Sequence, residues 1–170
     1  MNLHFTIGLI LIVASLKWAN WKEWKQYYPT MMYIVASNLL YKFFALSKYH
    51  LWKFSSHDFF FNSYTGIFLW HVFIINTLST FIFLSNFPDG KLTKKGFYIL
   101  KWVVLFIVVE MVLLKFNHVN YYHGWNFGWT VLFDIIMFVM LRLHYKMPMW
   151  AIFFSVFFTM FYLYLFGYIK

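Results

Sequence analysis

The chain contains no cysteine, and that one absence removes several chemistries. Without thiols there is no disulfide framework, no thiolate nucleophile and no zinc–thiolate site. Proline is scarce, with three in 170 residues, and acids number only five. Charged residues make up 11% of the chain, whereas a soluble globular domain carries about 25%. GxSxG, a P-loop, a dinucleotide fingerprint and HExxH are absent as well, so no catalytic or cofactor signature stands out.

What is present is apolar. Hydrophobic residues reach 63% and aromatic residues 27%, which excludes disorder and collagen-like structure. A soluble core of this size cannot hide so much apolar surface, and a lipid bilayer is the solvent that covers it. The net charge of +9 arises from fourteen basic residues, a single Arg among them. They lie in short runs beside apolar stretches, as in Lys17-Trp18-Ala19-Asn20-Trp21-Lys22. That placement favours anionic lipid headgroups over nucleic acid as the partner. The preference for Phe, Ile, Lys, Asn and Tyr over Ala and Arg is what AT-rich codons produce, which points to a bacterium of low genomic GC.

Six apolar stretches run over residues 3–16, 30–46, 59–85, 97–116, 130–145 and 149–169. A spanning helix needs about 20 residues, with a range of about 17–25. The third and sixth stretches meet that length and the fourth is comfortable. The first and fifth borrow length from flanking Trp, Tyr and snorkelling Lys or Arg. Pro29, Pro88 and Pro148 all fall between stretches, and Pro29 and Pro148 stand where a first helical turn would begin. The expected fold class is all-α: a polytopic integral membrane protein, residues 1–170 forming one bundle of about six transmembrane helices. Five spans result if the first stretch lies flat.

Lys17, Lys22 and Lys25 follow the first stretch instead of preceding it, which suits a reverse anchor and not a signal peptide. The third loop holds Lys91, Lys94 and Lys95, and the fifth holds Arg142 and Lys146, while residues 117–129 carry no Lys or Arg. The positive-inside rule then makes the basic loops cytoplasmic and leaves both termini outside the cell membrane. Lys48 and Lys53 in the second loop run against it. Residues 17–28 place Trp18, Trp21, Trp24 and Tyr28 on one helical arc, as expected of an interfacial amphipathic segment. Lys22, Lys25, Arg142 and Lys146 are the candidate contacts for anionic headgroups on the cytoplasmic side.

The informative residues are polar ones inside apolar stretches. A charge at the bilayer centre costs about 2.5–3.5 kcal/mol on insertion scales, so each needs a partner or a purpose. Glu110 has Phe106, Ile107, Leu113 and Leu114 at the i±3 and i±4 places, so its own helix offers no cation. Lys42, Glu110 and Asp134 fall at similar depths below the outer surface, with Asn38 a little deeper and His71 and Asn76 deeper still. The expected site is a polar pocket in the outer half: Glu110 and Asp134 as acids, Lys42 as counter-ion, and His123 near the mouth. The segment Tyr122-His123-Gly124-Trp125-Asn126-Phe127-Gly128-Trp129 adds Asn126 to these candidates, with two glycines for a close turn and two Trp as interface anchors. The same constellation also has a purely structural reading, in which Lys42 pairs with one carboxylate and pins two helices together. His118 and His123, five apart on a loop, lack metal-ligand spacing, and neither metal nor cofactor is expected.

The order of motifs resembles a known family. Tyr28-Pro29-Thr30, Asn38-Leu39-Leu40-Tyr41, Leu51-Trp52-Lys53-Phe54 and Asn86-Phe87-Pro88 are followed by Glu110. His123-Gly124-Trp125-Asn126 and Arg142-Leu143-His144-Tyr145-Lys146-Met147-Pro148 then complete the order. Together they are similar to a family of small polytopic membrane proteins of endospore-forming bacilli and clostridia, over nearly the whole chain. The resemblance implies a bacterial source, a membrane location and a helical architecture, and it associates the chain with a spore or envelope membrane. It transfers no catalytic or binding residue.

Three functions follow from these readings. The first is a structural or accessory membrane component that works through a membrane-protein partner or a second copy. The second is a small-solute or ion carrier or channel subunit using Glu110 and Asp134. The third, an enzyme acting on lipids with His123 as acid–base partner of a carboxylate, ranks last.

Overall fold

The computed structural model describes residues 2–44, 50–55, 60–61 and 63–169. Residues 45–46 of the second expected stretch, residues 59 and 62 of the third, and Lys48 lie outside the described residues. Each expected stretch becomes one helix. These are α1 (Leu3–Trp18), α2 (Trp24–Phe44), α3 (Tyr64–Ser85), α4 (Leu92–Lys115), α5 (Phe127–Lys146) and α6 (Pro148–Leu165).

Four of them, α3 to α6, are long and apolar enough to cross a membrane. α1 and α2 qualify only as a pair, joined through a 3-10 turn at Trp21–Glu23 and bent by 89°. Among the described residues, length and composition thus allow four crossing helices, or five if the bent pair is one span, against the expected six, or five with the first stretch flat. Length and polarity explain the difference. α1 has 16 residues, about 24 Å at 1.5 Å per residue, which falls short of a hydrocarbon core about 30 Å thick. α2 is long enough but opens with the polar Lys25 and Gln26. The corner between them is fastened by two hydrogen bonds, from the Asn20 N–H to Ser85 Oγ at 3.1 Å and from Asn86 Nδ2 to the Trp18 carbonyl at 2.7 Å.

Pro148 is the first residue of α6, as expected. Pro29, expected at a helix start, lies inside α2 instead. The helix begins five residues earlier, and the missing proline N–H leaves the Lys25 carbonyl without its intrahelical partner close to the helix end, where the loss is smallest. Asn126 caps α5, its Oδ1 accepting from the N–H groups of Gly128 and Trp129, and Ser63 caps α3 by accepting from the Gly66 N–H.

α3 is the buried axis of the bundle. It packs against α1 and α2, while α5 packs against α4, α6 and α2. Its middle, His71–Asn76, is a π-helical turn between two α-helical parts. Phe68, Phe81 and Phe83 of α3 and Phe138 of α5 are almost fully enclosed. Close approach of α1 to α3 depends on Gly8, because a Cβ there would collide with the Trp70 indole ring. Trp70 in turn donates to the His4 carbonyl at 2.9 Å. Further bonds between helices join Thr30 to His144 at 2.9 Å and Asn76 Nδ2 to Asn38 Oδ1 at 3.2 Å. In a bilayer each such bond contributes about 0.6 kcal/mol on average. The outward faces of α4 and α6 are apolar, with Leu92, Phe97, Met149, Phe153 and Tyr164 among their most exposed side chains.

A short antiparallel pair, β1 (Trp52–Phe54) and β2 (Val119–Tyr121), has no counterpart among the expected elements. Trp52 faces Tyr121, Lys53 faces Asn120, and Phe54 faces Val119. Alternation along a strand turns Phe54 and Val119 into the bundle and Lys53 and Asn120 away from it. β1 leads into α3, and β2 lies between α4 and α5, so the pair closes one end of the bundle.

The three basic segments meet at the other end. Tyr145 donates to Gln26 Oε1 at 3.2 Å, Asn86 reaches Trp18, and the Arg142 guanidinium lies 4.1 Å from the centre of the Phe87 ring.

Candidate functional site

Beneath the strand pair lies a cavity of about 280 Å³, bounded by α1, α3, α4 and α5. Glu110 and Asp134 both line it, from α4 and α5. His71, Asn76 and Ser79 contribute from α3, Asn38 from α2 and Thr130 from α5. Glu110 lies five residues from the end of α4, and Asp134 and His71 each lie seven residues from the start of their helices. At about 1.5 Å per residue all three are therefore roughly 8–10 Å below the capped end. The level common to the three follows from antiparallel neighbours: α3 and α5 enter at the capped end and α4 leaves there.

A chain of hydrogen bonds ends on Glu110. Trp125 Nε1 donates to Thr130 Oγ1 at 3.0 Å, Thr130 Oγ1 to the Tyr121 hydroxyl at 3.1 Å, and the Tyr121 hydroxyl to Glu110 Oε1 at 2.9 Å. Every donor points the same way, so the bonds polarise one another toward the carboxyl. Burial lifts the Tyr121 phenol above its ordinary value; the Thr130 bond works against this, and the neighbouring Glu110 and Asp134 reinforce it. Tyr121 therefore stays a donor at any physiological pH. Ser79 is buried, and its hydroxyl has no hydrogen-bond partner among the described residues. A buried hydroxyl left this way costs about 1–3 kcal/mol, and a polar occupant of the cavity would remove that cost.

The sequence candidates separate in space. Glu110, Asp134 and His71 come together around the cavity. Lys42, expected as their counter-ion, does not reach it: its ammonium lies 3.8 Å from the centre of the Tyr64 ring and 5.4 Å from that of Phe68. The reason is position on the helix, since Asn38 turns toward the cavity and Lys42, one turn on, faces the start of α3. Among the described residues, no Lys or Arg lines the cavity. His123 is on the exposed turn before α5 with a positive φ of 53°, followed by Gly124 at 81°, and it does not line the cavity. Asn126 acts as the α5 cap. Trp125, expected at the membrane interface, is instead buried and starts the hydrogen-bond chain. Lys22, Lys25 and Lys146 are exposed at the basic end, and Arg142 is half-buried over Phe87.

Sequence reasoning missed Tyr121, Thr130, Ser79 and His4. His4 is buried, bonds through Nδ1 to His71 Nε2 at 2.9 Å, and meets the His118 ring edge-on with centroids 5.0 Å apart. Among the described residues, no group of three or more His, Asp and Glu side chains could hold a metal ion. The one available signal was a second and third histidine at the ends of apolar runs, and nothing local linked residues 4, 71 and 118.

Comparison with protein-family models, with curated proteins and with solved structures finds no match.

Proposed function

We propose that the chain is a multi-pass protein of the cell membrane that binds and passes small cations through the Glu110–Asp134 cavity, as a carrier or channel subunit. The observation that carries this reading is a cavity lined by two carboxyls and by no Lys or Arg among the described residues. Two carboxyls without a cation inside a low-dielectric bundle are expensive, and a cation or a proton is what relieves the cost. The structural alternative depended on Lys42 pairing with one of them, and the aromatic seat of Lys42 weakens it. The enzyme alternative needed His123 beside a carboxyl, and His123 does not line the cavity.

In this reading α3 to α6 cross the bilayer and the bent α1–α2 pair supplies the remaining crossing or crossings. The end rich in basic residues faces the cytoplasm and contacts anionic headgroups through Lys22, Lys25, Arg142 and Lys146. The cavity then opens nearer the outer side.

Calorimetric titration of protein in lipid nanodiscs with ethylammonium, sodium and potassium tests the proposal. The expected result is binding of at least one of these ions, weakened tenfold or more by Glu110→Gln and by Asp134→Asn, while Lys42→Gln leaves it unchanged. Absence of binding, or binding indifferent to both carboxyl variants, returns the accessory role to first place.

A further inference from the structure

A second cavity, of about 220 Å³, lies between α2, α5 and α6. It shares five lining residues with the first: Asn38, Trp52, Trp125, Phe133 and Met137. A side chain that faces both cavities is the whole thickness of the wall at that point. One of the five, Met137, is an unbranched thioether that changes rotamer at little cost. The two cavities differ in chemistry. The first carries both carboxyls. The second has no charged lining residue: aromatic and aliphatic side chains predominate, beside Asn38 and hydroxyls from α2, α6 and Tyr168. Two of these, Tyr33 and Ser155, are already bonded to each other. Tyr162 is the exception, since its buried hydroxyl has no hydrogen-bond partner among the described residues.

An acidic chamber joined by a thin wall to an apolar one fits a molecule with a cationic head and a hydrocarbon tail. We propose that the physiological cation is an amphiphile, a primary alkylammonium whose head is held by Glu110 and Asp134 and whose tail passes Met137 into the second cavity. This rests on the cation-binding reading above and adds the class of ligand. Three ammonium N–H donors match two carboxyls and one of the amide oxygens of Asn38 and Asn76. Trp52 and Trp125, which line both cavities, supply aromatic surface beside the path of the tail.

The test is titration of the protein in nanodiscs with ethyl-, butyl-, hexyl- and octylammonium, referred to the free aqueous concentration. Wild type is expected to bind more tightly with each added methylene, by up to about fourfold per group. Thr159→Phe, which fills only the second cavity, is expected to leave ethylammonium affinity unchanged and to flatten the gain with chain length. Ser37→Leu fills the same cavity from α2 and repeats the test if Thr159→Phe fails to fold. Thr159→Val, of similar size, should keep the gain. A chain-length gain that survives both filling variants means that the tail dissolves in lipid, and the proposal is wrong. A flat series in wild type, with ethylammonium bound and sensitive to Glu110→Gln, overturns the tail but keeps the cation site. If ethylammonium does not bind while sodium or potassium does, the alkylammonium ligand falls and the cation site stands; if none of the three binds, both fall.

Discussion

Glu110 shows what one buried residue can and cannot disclose from its neighbours in sequence. Its isolation was legible, because four apolar residues fill the places where an intrahelical cation would stand. Its partner was not, because Tyr121 belongs to a strand that follows the helix and reaches back into the bundle. The bond that Glu110 accepts needs an oxygen and not a charge. Glu110→Gln keeps that acceptor, so thermal melting in detergent should place the variant within about 1 kcal/mol of wild type, or above it. Glu110→Leu keeps the volume but strands the Tyr121 hydroxyl, and it should lose about 1–3 kcal/mol. A large loss in the Gln variant would mean that the carboxylate charge itself holds the fold. His50 gives a pH-dependent case. Burial first, then Lys53, Lys42 and His123, lower its pKa below the usual histidine value, and its buried Nδ1 has no hydrogen-bond partner among the described residues. As pH falls through about 6.5, the unfolded chain gains a proton there that the folded chain resists, so stability drops with acidity. His50→Gln should therefore melt with a shallower loss than wild type between about pH 6.5 and pH 5. Parallel curves would show that His50 is not part of that acid response.

At the scale of elements, the helices were legible and their joints were not. A long apolar stretch averages over many side chains, so each of the six stretches found its helix within about six residues at either end. A strand of three residues offers no such average. Trp52-Lys53-Phe54 and Val119-Asn120-Tyr121 are single alternations that mean nothing until the other strand is beside them. The π-turn at His71–Asn76 is likewise set by packing, and it falls where His71 meets His4. Gly8 tests one such joint. In an isolated helix, alanine in place of glycine stabilises by about 0.5–1 kcal/mol. In α1 the new methyl would collide with the rigid Trp70 indole, which also donates to the His4 carbonyl. Overpacking of this kind costs about 1–3 kcal/mol, so Gly8→Ala should be less stable on balance despite its better propensity. Gly8→Ala combined with Trp70→Phe should recover part of the loss, as read in the same melts. A single variant that gained stability would mean that α1 does not press on α3 at this point.

For the whole molecule, the loops decide orientation, and the fold makes their disagreement intelligible. The counter-example to the positive-inside pattern was the loop that carries Lys48 and Lys53. Lys53 is on the outward face of β1, opposite Asn120, at the capped end with β2. The segments around Lys22, Asn86 and Lys146 cluster instead at the far end, joined by the Asn86–Trp18 and Tyr145–Gln26 bonds. Basic residues therefore occur at both ends, but the denser group gathers on one surface, and in the proposed membrane reading the bias of that group sets the orientation. The absence of cysteine turns this into a direct measurement, because any introduced thiol is the only one. Lys22→Cys, Lys146→Cys and Asn120→Cys place single thiols at exposed positions on the two ends. In intact cells producing the protein, a membrane-impermeant maleimide should label the Asn120 variant and spare the other two until the cells are opened. Labelling of Lys22→Cys and Lys146→Cys in intact cells, with Asn120→Cys spared, would invert the molecule. The carboxyl cavity would then lie toward the cytoplasm, and any cation it takes would come from inside.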